Sequence, residues 1–512
     1  MNRRLTGGPR SARTTTGGSS EENRRASRTA PPSVHWRDTR FPWLVPALLL
    51  IVTRGFMALA IPWASEDAYI TFRYAANLAN GLGPVFNPGE HVMGFTSPLW
   101  TLWVAFGVWL HVDPVPWTQI SGVAADLATL WLAVPVITAL VSRMAGWSFA
   151  LFFAIWPVFA VSAVSGLEVS LMLFLIVASA VLVERRSVSA GVVLGALSCV
   201  RPEGMIAALV IGLRAARRAQ LTAVACVAAM GVWLWLEFHS LVPQSIAAKA
   251  IIYGTPGPWA GRHWWDWLVP FPMGRYPTSS EGLALMPFAL VFGAALIAGV
   301  RRLTAARRSA TAAVGAAGLV IWLCYCATGV AYFWWYMTVP LAALAWTAAA
   351  GLGDVVRGRL IPALLVLALA GAWVQALPLY LGRAQTEYRN FMSVHDFLAP
   401  RVGRSDSVLL EPIGMIGWRL PARLIDEVGL VTPDVTRMRR SGPGWYADIV
   451  NAQRPRWIVA RPEMFAEGQA FAGTGAPFRD RGELMNLRAH YEQRWPESQL
   501  PGIGLVVLER LP

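Results

Sequence analysis

Residues 63–100 read WASEDAYITFRYAANLANGLGPVFNPGEHVMGFTSPLW. The stretch follows directly on a long apolar run, roughly 42–62, yet it carries Glu66, Asp67, Arg73, Asn77, Asn80, Asn87 and Glu90. Ionisable groups are expensive beside hydrocarbon, so adjacent carboxylates just beyond a membrane span mark a candidate functional site. Tyr69, Phe72 and Arg73 at helical spacing predict a short amphipathic helix on the membrane surface. Gly81 to Gly83, Asn87-Pro88-Gly89 and Gly94 then predict tight turns, because these residue types supply the unusual dihedrals turns require. An ordinary polar loop is the plain alternative.

The composition agrees with a membrane setting. Of 512 residues, 55% are hydrophobic and only 14% charged, where a soluble chain carries about a quarter charged residues. Apolar runs near span length recur along the chain. The net charge of +14 does not indicate nucleic acid, since the arginines sit in short patches between apolar runs. Arg185-Arg186, Arg214 to Arg218, Arg301 to Arg308 and Arg357 to Arg359 follow the positive-inside pattern of cytoplasmic loops. Cys199, Cys226, Cys324 and Cys326 lie within apolar segments, with neither a disulfide framework nor zinc spacing.

Residues 1–40 are rich in Arg, Ser, Thr, Gly and Pro and are expected to form a disordered cytoplasmic tail. The first span then carries the acidic loop to the outer side. Apolar runs near 167–183, 188–200, 203–213, 219–236, 283–300, 313–330, 336–352 and 360–380 follow. Arg201-Pro202-Glu203-Gly204 separates two of them, which are expected as short helices meeting near the outer face. Runs at 98–110, 118–141 and 147–163 make three where the charge pattern needs an even number of crossings, so 98–110 is expected to lie partly in the interface. The total is about eleven spans. From residue 383 the apolar runs shorten to Ser407–Leu410, Trp457–Ala460 and Ile503–Leu508, expected as buried strands, with helices around 444–453 and 483–494.

The loop at 63–100 resembles the first extracytoplasmic loop of polyprenyl-phosphate-dependent glycosyltransferases of the GT-C superfamily, and most of all the actinobacterial terminal arabinofuranosyltransferases among them. The matching residues are Glu66-Asp67, Tyr69 to Gly83, Asn87 to Glu90 and Gly94 to Trp100. Glu66 stands where relatives often have a second Asp, and Met93 where an acid is common. The resemblance implies an α-helical polytopic membrane protein of GT-C type with a small α/β extracytoplasmic domain. Its parts would be the tail at 1–40, a membrane domain at 41–382 with its catalytic first loop at 63–97, and the extracytoplasmic domain at 383–512. The implied partners are a polyprenyl-phosphate sugar donor, with arabinofuranose as the sugar, a cell-envelope glycan acceptor and the lipid bilayer.

The resemblance makes the acid of this loop the catalytic residue, with Asp67 the first choice and Glu66 the second. The same pair could bind Mg or Ca, since hard carboxylate oxygens suit those cations. Lys249, the only lysine in the chain, lies in a P-x-S…K pattern shared with relatives. It suits a phosphate that must bind and leave, or simply snorkels to the interface. Arg201 and Glu203 match an R-P-E-G signature, giving either contact with the donor phosphate and substrate or a structural ion pair. Glu168 in Ser165-Gly166-Leu167-Glu168 matches S/T-G-L-E, as a substrate ligand or a helix-start acid favoured by the dipole. Asp426 matches an I-D-x-x-G-L segment and either faces the cavity or ends a strand. Arg73, Asn87 and Glu90 complete the candidate substrate contacts. Trp259, His263, Trp264, Trp265 and Trp267 read as an interfacial belt, as does the cluster Tyr332 to Tyr336. Two other readings stand beside the enzyme: a transporter, which would favour charges deep within spans and inverted repeats, and a catalytically idle relative with an envelope or motility role.

Overall fold

Prolines at helix starts and arginines at helix breaks set the architecture. The computed structural model describes residues 44–253, 280–305, 310–328, 333–355, 370, 373–374, 377–496 and 504–512. The N-terminal tail, the Trp259–Trp267 belt, Tyr332 and the Arg357–Arg359 patch lie outside the described residues. Fourteen described helices precede residue 356: α1 (Leu44–Ala60), α2 (Glu66–Ala79), α3 (Pro98–Trp109), α4 (Pro114–Leu140), α5 (Arg143–Ile155), α6 (Pro157–Val164), α7 (Val169–Glu184), α8 (Ala190–Val200), α9 (Pro202–Gly212), α10 (Arg217–Phe238), α11 (Gln244–Tyr253), α12 (Ser280–Ala305), α13 (Ala310–Thr328) and α14 (Thr338–Val355). Proline opens α3, α4, α6 and α9, a position where its missing N–H costs nothing.

Among the described residues, three helices are long and apolar enough to cross a membrane: Pro114–Ala139, Arg217–Phe238 and Trp334–Leu352. The pair α5–α6, bent by 55°, adds a fourth if it is one broken span. The other described apolar helices are shorter. α3 has 12 residues, about 18 Å at 1.5 Å per residue, too short for a hydrocarbon core of about 30 Å. The two short helices expected around Arg201 are α8 and α9. These apolar helices make the chain an integral membrane protein.

The α5–α6 bend explains a buried pair that the apolar-run reading passes over. Pro157 has no N–H for the Phe153 carbonyl. The Arg54 guanidinium fills that gap, donating to Phe153 O at 2.9 Å and to Ala154 O. Asp126 Oδ2 accepts from Arg54 Nε at 3.1 Å and Nη2 at 2.9 Å. Both side chains are buried, and each lies inside an apolar helix, where a lone charge signals a required partner.

The C-terminal part begins with α15 (Arg383–Leu398) and builds a five-stranded sheet in the order β2-β1-β3-β5-β4. β1 (Ser407–Leu410) pairs in parallel with β2 (Arg423–Asp426) and β3 (Trp457–Ala460); β5 (Val506–Arg510) runs antiparallel to β3 and to β4 (Tyr491–Trp495). Leu409, Ile425, Ile458, Tyr446, Phe478 and Leu508 centre its core. β1 and β3 fall where expected, as does the helix Trp445–Gln453. The last strand is shifted, and the expected helix at 483–494 stops at His490, after which β4 takes over. β4 is mostly exposed and polar, so it lacks the apolar run that marks a strand. Residues Pro42–Pro512 form one compact unit, so the first loop and the sheet domain pack together.

Candidate active site

α2 starts with both acids in its first turn, where the helix dipole favours negative charge. Its start is fixed from α7's side: Ser65 donates to Ser165 O through its N–H at 2.8 Å and its hydroxyl at 3.0 Å. Gly166 has φ +83°, and a Cβ there would lie 2.8 Å from the Ala64 Cβ and 2.9 Å from the Ala68 Cβ. Only glycine allows this approach. Trp100 Nε1 donates to Gly166 O at 3.0 Å, tying the end of the loop to the same point.

The two acids have different environments. Glu66 accepts from the Gly414 N–H at 2.5 Å and the Met415 N–H at 2.6 Å. Burial pushes its carboxyl up to about 8, against the pull of those two donors. Asp67 is half-buried, and among the described residues its carboxylate makes no hydrogen bond or ion pair. Each Glu66 oxygen accepts one backbone N–H, so a cation on the pair would share Glu66 with those donors. No described group of three or more His, Cys, Asp or Glu has metal-binding geometry.

A second row of charges runs from Glu168. Arg201 Nη1 donates to Glu168 Oε1 at 2.6 Å, and its Nε and Nη2 grip both oxygens of Glu203 at 3.1 and 3.0 Å. Tyr325 also donates to Glu203. The Arg201 guanidinium lies 5.5 Å from the Tyr336 ring centre, and Tyr336 stacks on Tyr325 at 5.4 Å. Lys249 Nζ reaches the Tyr336 hydroxyl at 3.4 Å and lies 5.5 Å from the Phe333 ring centre. α11, which carries Lys249, hangs from both neighbours: the Gln244 N–H donates to Met93 O at 2.8 Å, and its side chain to Gly429 O at 3.1 Å and Thr436 Oγ1 at 2.8 Å. The row thus joins α7, α9, α13, the turn at Trp334–Met337 that precedes α14, and α11.

Three of the six candidate substrate contacts, Arg73, Asn87 and Glu90, hold the loop to the sheet domain. Arg73 donates to the carbonyls of Phe86, Gly417, Leu420 and Ala422 at 2.6 to 3.1 Å. The Asn87 amide pairs with both the N–H and C=O of Leu424, at 3.0 and 2.9 Å, completing the free edge of β2. Glu90 accepts from Asn87 at 2.9 Å and Arg423 at 2.5 Å. Asp426 is fully buried and accepts from the N–H groups of Val428, Leu430 and Val431, so it shapes its own turn rather than facing a cavity. Glu168 and Glu203 both pair with Arg201. Each of these side chains is engaged by backbone groups or by opposite charge.

A solved structure, ArnT from Cupriavidus metallidurans bound to undecaprenyl phosphate, superposes with a TM-score of 0.54 over 92% of this chain and 98% of its own, at 11% identity. This chain has the GT-C fold. Within the GT-C fold, residues 378–500 match a family described only as a domain of unknown function, DUF8728. The terminal β-(1→2)-arabinofuranosyltransferase of Mycobacterium tuberculosis (strain ATCC 25618 / H37Rv) is 44% identical over 48 residues, which span 9% of this chain and 8% of that protein. An oligosaccharyltransferase from Archaeoglobus fulgidus, tethered with an acceptor peptide, aligns over 90% of this chain and 73% of its own at 12% identity, with a TM-score of 0.49.

Sequence reasoning did not single out Gly414, Tyr325 and Tyr336 as parts of the candidate site. Gly414 gave a weak signal, being a glycine between apolar residues. The tyrosines gave none that separates them from an interfacial belt.

Proposed function

We propose that this protein is a membrane glycosyltransferase that moves a sugar from a polyprenyl-phosphate donor to a cell-envelope glycan on the outer face of the membrane. The sugar we infer is arabinofuranose, on the likeness of the first loop to that branch and the short match to the mycobacterial enzyme. The observation that carries the reading is the asymmetry of the acid pair: Glu66 accepts from two backbone donors, while the Asp67 carboxylate has no hydrogen-bond partner among the described residues. A partnerless carboxylate at a helix start is suited to receive a proton from an incoming hydroxyl.

In the proposed reaction the acceptor oxygen bonds to the anomeric carbon as the bond from that carbon to the phosphate oxygen breaks. The electron pair leaves on the polyprenyl phosphate, and the acceptor's proton passes to Asp67. Lys249 supplies the positive charge that the departing phosphate meets.

The test uses protein in lipid nanodiscs with radiolabelled polyprenyl-phosphoryl arabinofuranose and an arabinoside acceptor. Asp67→Asn is expected to lose transfer by about 10²- to 10⁴-fold with an unchanged melting profile. Glu66→Gln is expected to lower Tm while keeping measurable transfer. The reverse pattern would overturn the assignment, and transfer of a different prenyl-linked sugar only would overturn the choice of sugar.

A further inference from the structure

A groove lies at the other end of α2, away from the acids. It encloses about 730 Å³ between the C-terminal half of α2, the turn joining α3 to α4, and the 417–421 turn of the sheet domain. That size falls in the range of about 300–1,000 Å³ typical of ligand sites. Asn77 and Asn80 lie ten and thirteen residues beyond Asp67, which places them about 15 and 20 Å away along the helix axis.

The walls are rigid. Pro88, Pro114 and Pro421 stand on three sides, each with a fixed φ. Arg73 fastens the 417–422 turn to α2 through three carbonyls. Two wall residues, His111 with φ +60° and Arg419 with φ +64°, hold left-handed backbone that side chains disfavour. Such strain persists where the surroundings impose it, often beside binding sites. Asp113 caps α4 by accepting from the Val115 N–H at 2.9 Å and holds Arg419 at 3.3 Å.

The chemistry is mixed rather than cationic. Asp113 already neutralises Arg419, and its carboxylate would repel a phosphate. The Asn77 amide nitrogen is spent on the Val85 and Phe86 carbonyls at 2.7 and 3.1 Å, which leaves its oxygen as an acceptor, while the Asn80 amide offers both donors and an acceptor. Arg404 adds a planar donor fork, and the half-buried Trp418 indole is held edge-on by Tyr69 at 5.9 Å and Phe72 at 6.1 Å. Planar polar groups beside an indole suit the hydroxyls and C–H faces of sugars. The adjacent α3 terminus presents exposed Trp109 and Leu110, residue types that sit at a bilayer surface, so the groove opens just above the lipid.

We propose that this groove seats a neutral, linear glycan: the part of the acceptor that extends away from the reacting hydroxyl. The inference rests on the glycosyltransferase reading above, and its test separates the two. In nanodiscs, binding of a hexa-arabinofuranoside, a mannohexaose and the matching disaccharides is followed by saturation-transfer NMR, with transfer assayed in parallel. Asn80→Ala combined with Arg404→Ala removes two exposed side chains that make no hydrogen bond or ion pair with described residues; Trp418→Ala is the companion variant. The expected result is at least tenfold tighter binding of a hexasaccharide than of its disaccharide, lost in the double variant while disaccharide binding stays. Equal binding of long and short glycans, or an advantage that survives both variants, would overturn the proposal. Displacement of the hexasaccharide by glycerophosphoglycerol would do so too, marking a lipid-headgroup site. Length-dependent binding without transfer would uphold the groove and sink the transferase reading, while transfer without it would do the reverse.

Discussion

Glu66 and Gly414 meet across 348 residues of chain, with the Gly414 N–H donating to Glu66 Oε1 at 2.5 Å. A Cβ on residue 414 would stand 2.1 Å from the Glu66 carbonyl oxygen and 2.7 Å from Oε1. The first loop and the sheet domain are therefore fitted at backbone distance directly beside Asp67, and the geometry of the candidate acid depends on a domain hundreds of residues away.

Gly414→Ala must push the 412–415 turn off α2. Overpacking of this kind costs about 1–3 kcal/mol. A thermal melt is expected to show a lower Tm, and transfer is expected to fall although no proposed reacting group has changed. A wild-type Tm would show that the turn yields freely.

Lys249→Gln removes the ammonium and leaves a polar side chain one bond shorter. A charged hydrogen bond contributes about 1.5–3 kcal/mol, so the KM for the lipid-linked donor is expected to rise about tenfold or more, with the acceptor KM little changed. Titrating donor and acceptor separately checks this.

Asn87→Ala strips two hydrogen bonds from the Leu424 backbone. Leaving those buried groups unpaired costs about 1–3 kcal/mol each at most. Limited proteolysis is expected to cut between the loop and the sheet domain faster than in wild type.

Three acids at or beside this interface are raised by burial: Glu66 to about 8, Asp426 to about 7 and Glu427 to about 8. Free carboxyls titrate near 4, so between these values the folded protein holds protons that the unfolded chain has released. The stability these groups contribute is complete below about pH 4 and is lost as pH rises through 7 to 8. Tm is expected to fall from about pH 5 to pH 9, and Glu427→Gln to make the fall shallower. A flat profile in wild type would refute the assignment.

The membrane class, the amphipathic helix α2, the break at Arg201 and the strands β1 and β3 are legible in the sequence, because each rests on a local pattern of apolar periodicity, proline or charge. The roles of the polar residues are not. Arg73, Asn87, Glu90 and Asp426 look alike as candidate ligands, since a side chain that binds sugar and one that binds a distant carbonyl are chemically the same. Only the position of Leu424, Gly417 and Ala422 in space tells them apart. Arg54 shows the same limit within the spans: besides Asp126 it donates to a carbonyl released by Pro157, which no spacing rule connects to residue 54.

The pairing of Asn87 with Leu424 has a consequence for the sheet domain by itself. β2 is an edge strand, and an uncovered edge is a template on which another strand can add. One amide side chain from the membrane-bound half occupies that template. A chain translated without a properly formed first loop would thus present an adhesive border, and its fate would be edge-to-edge association with other copies.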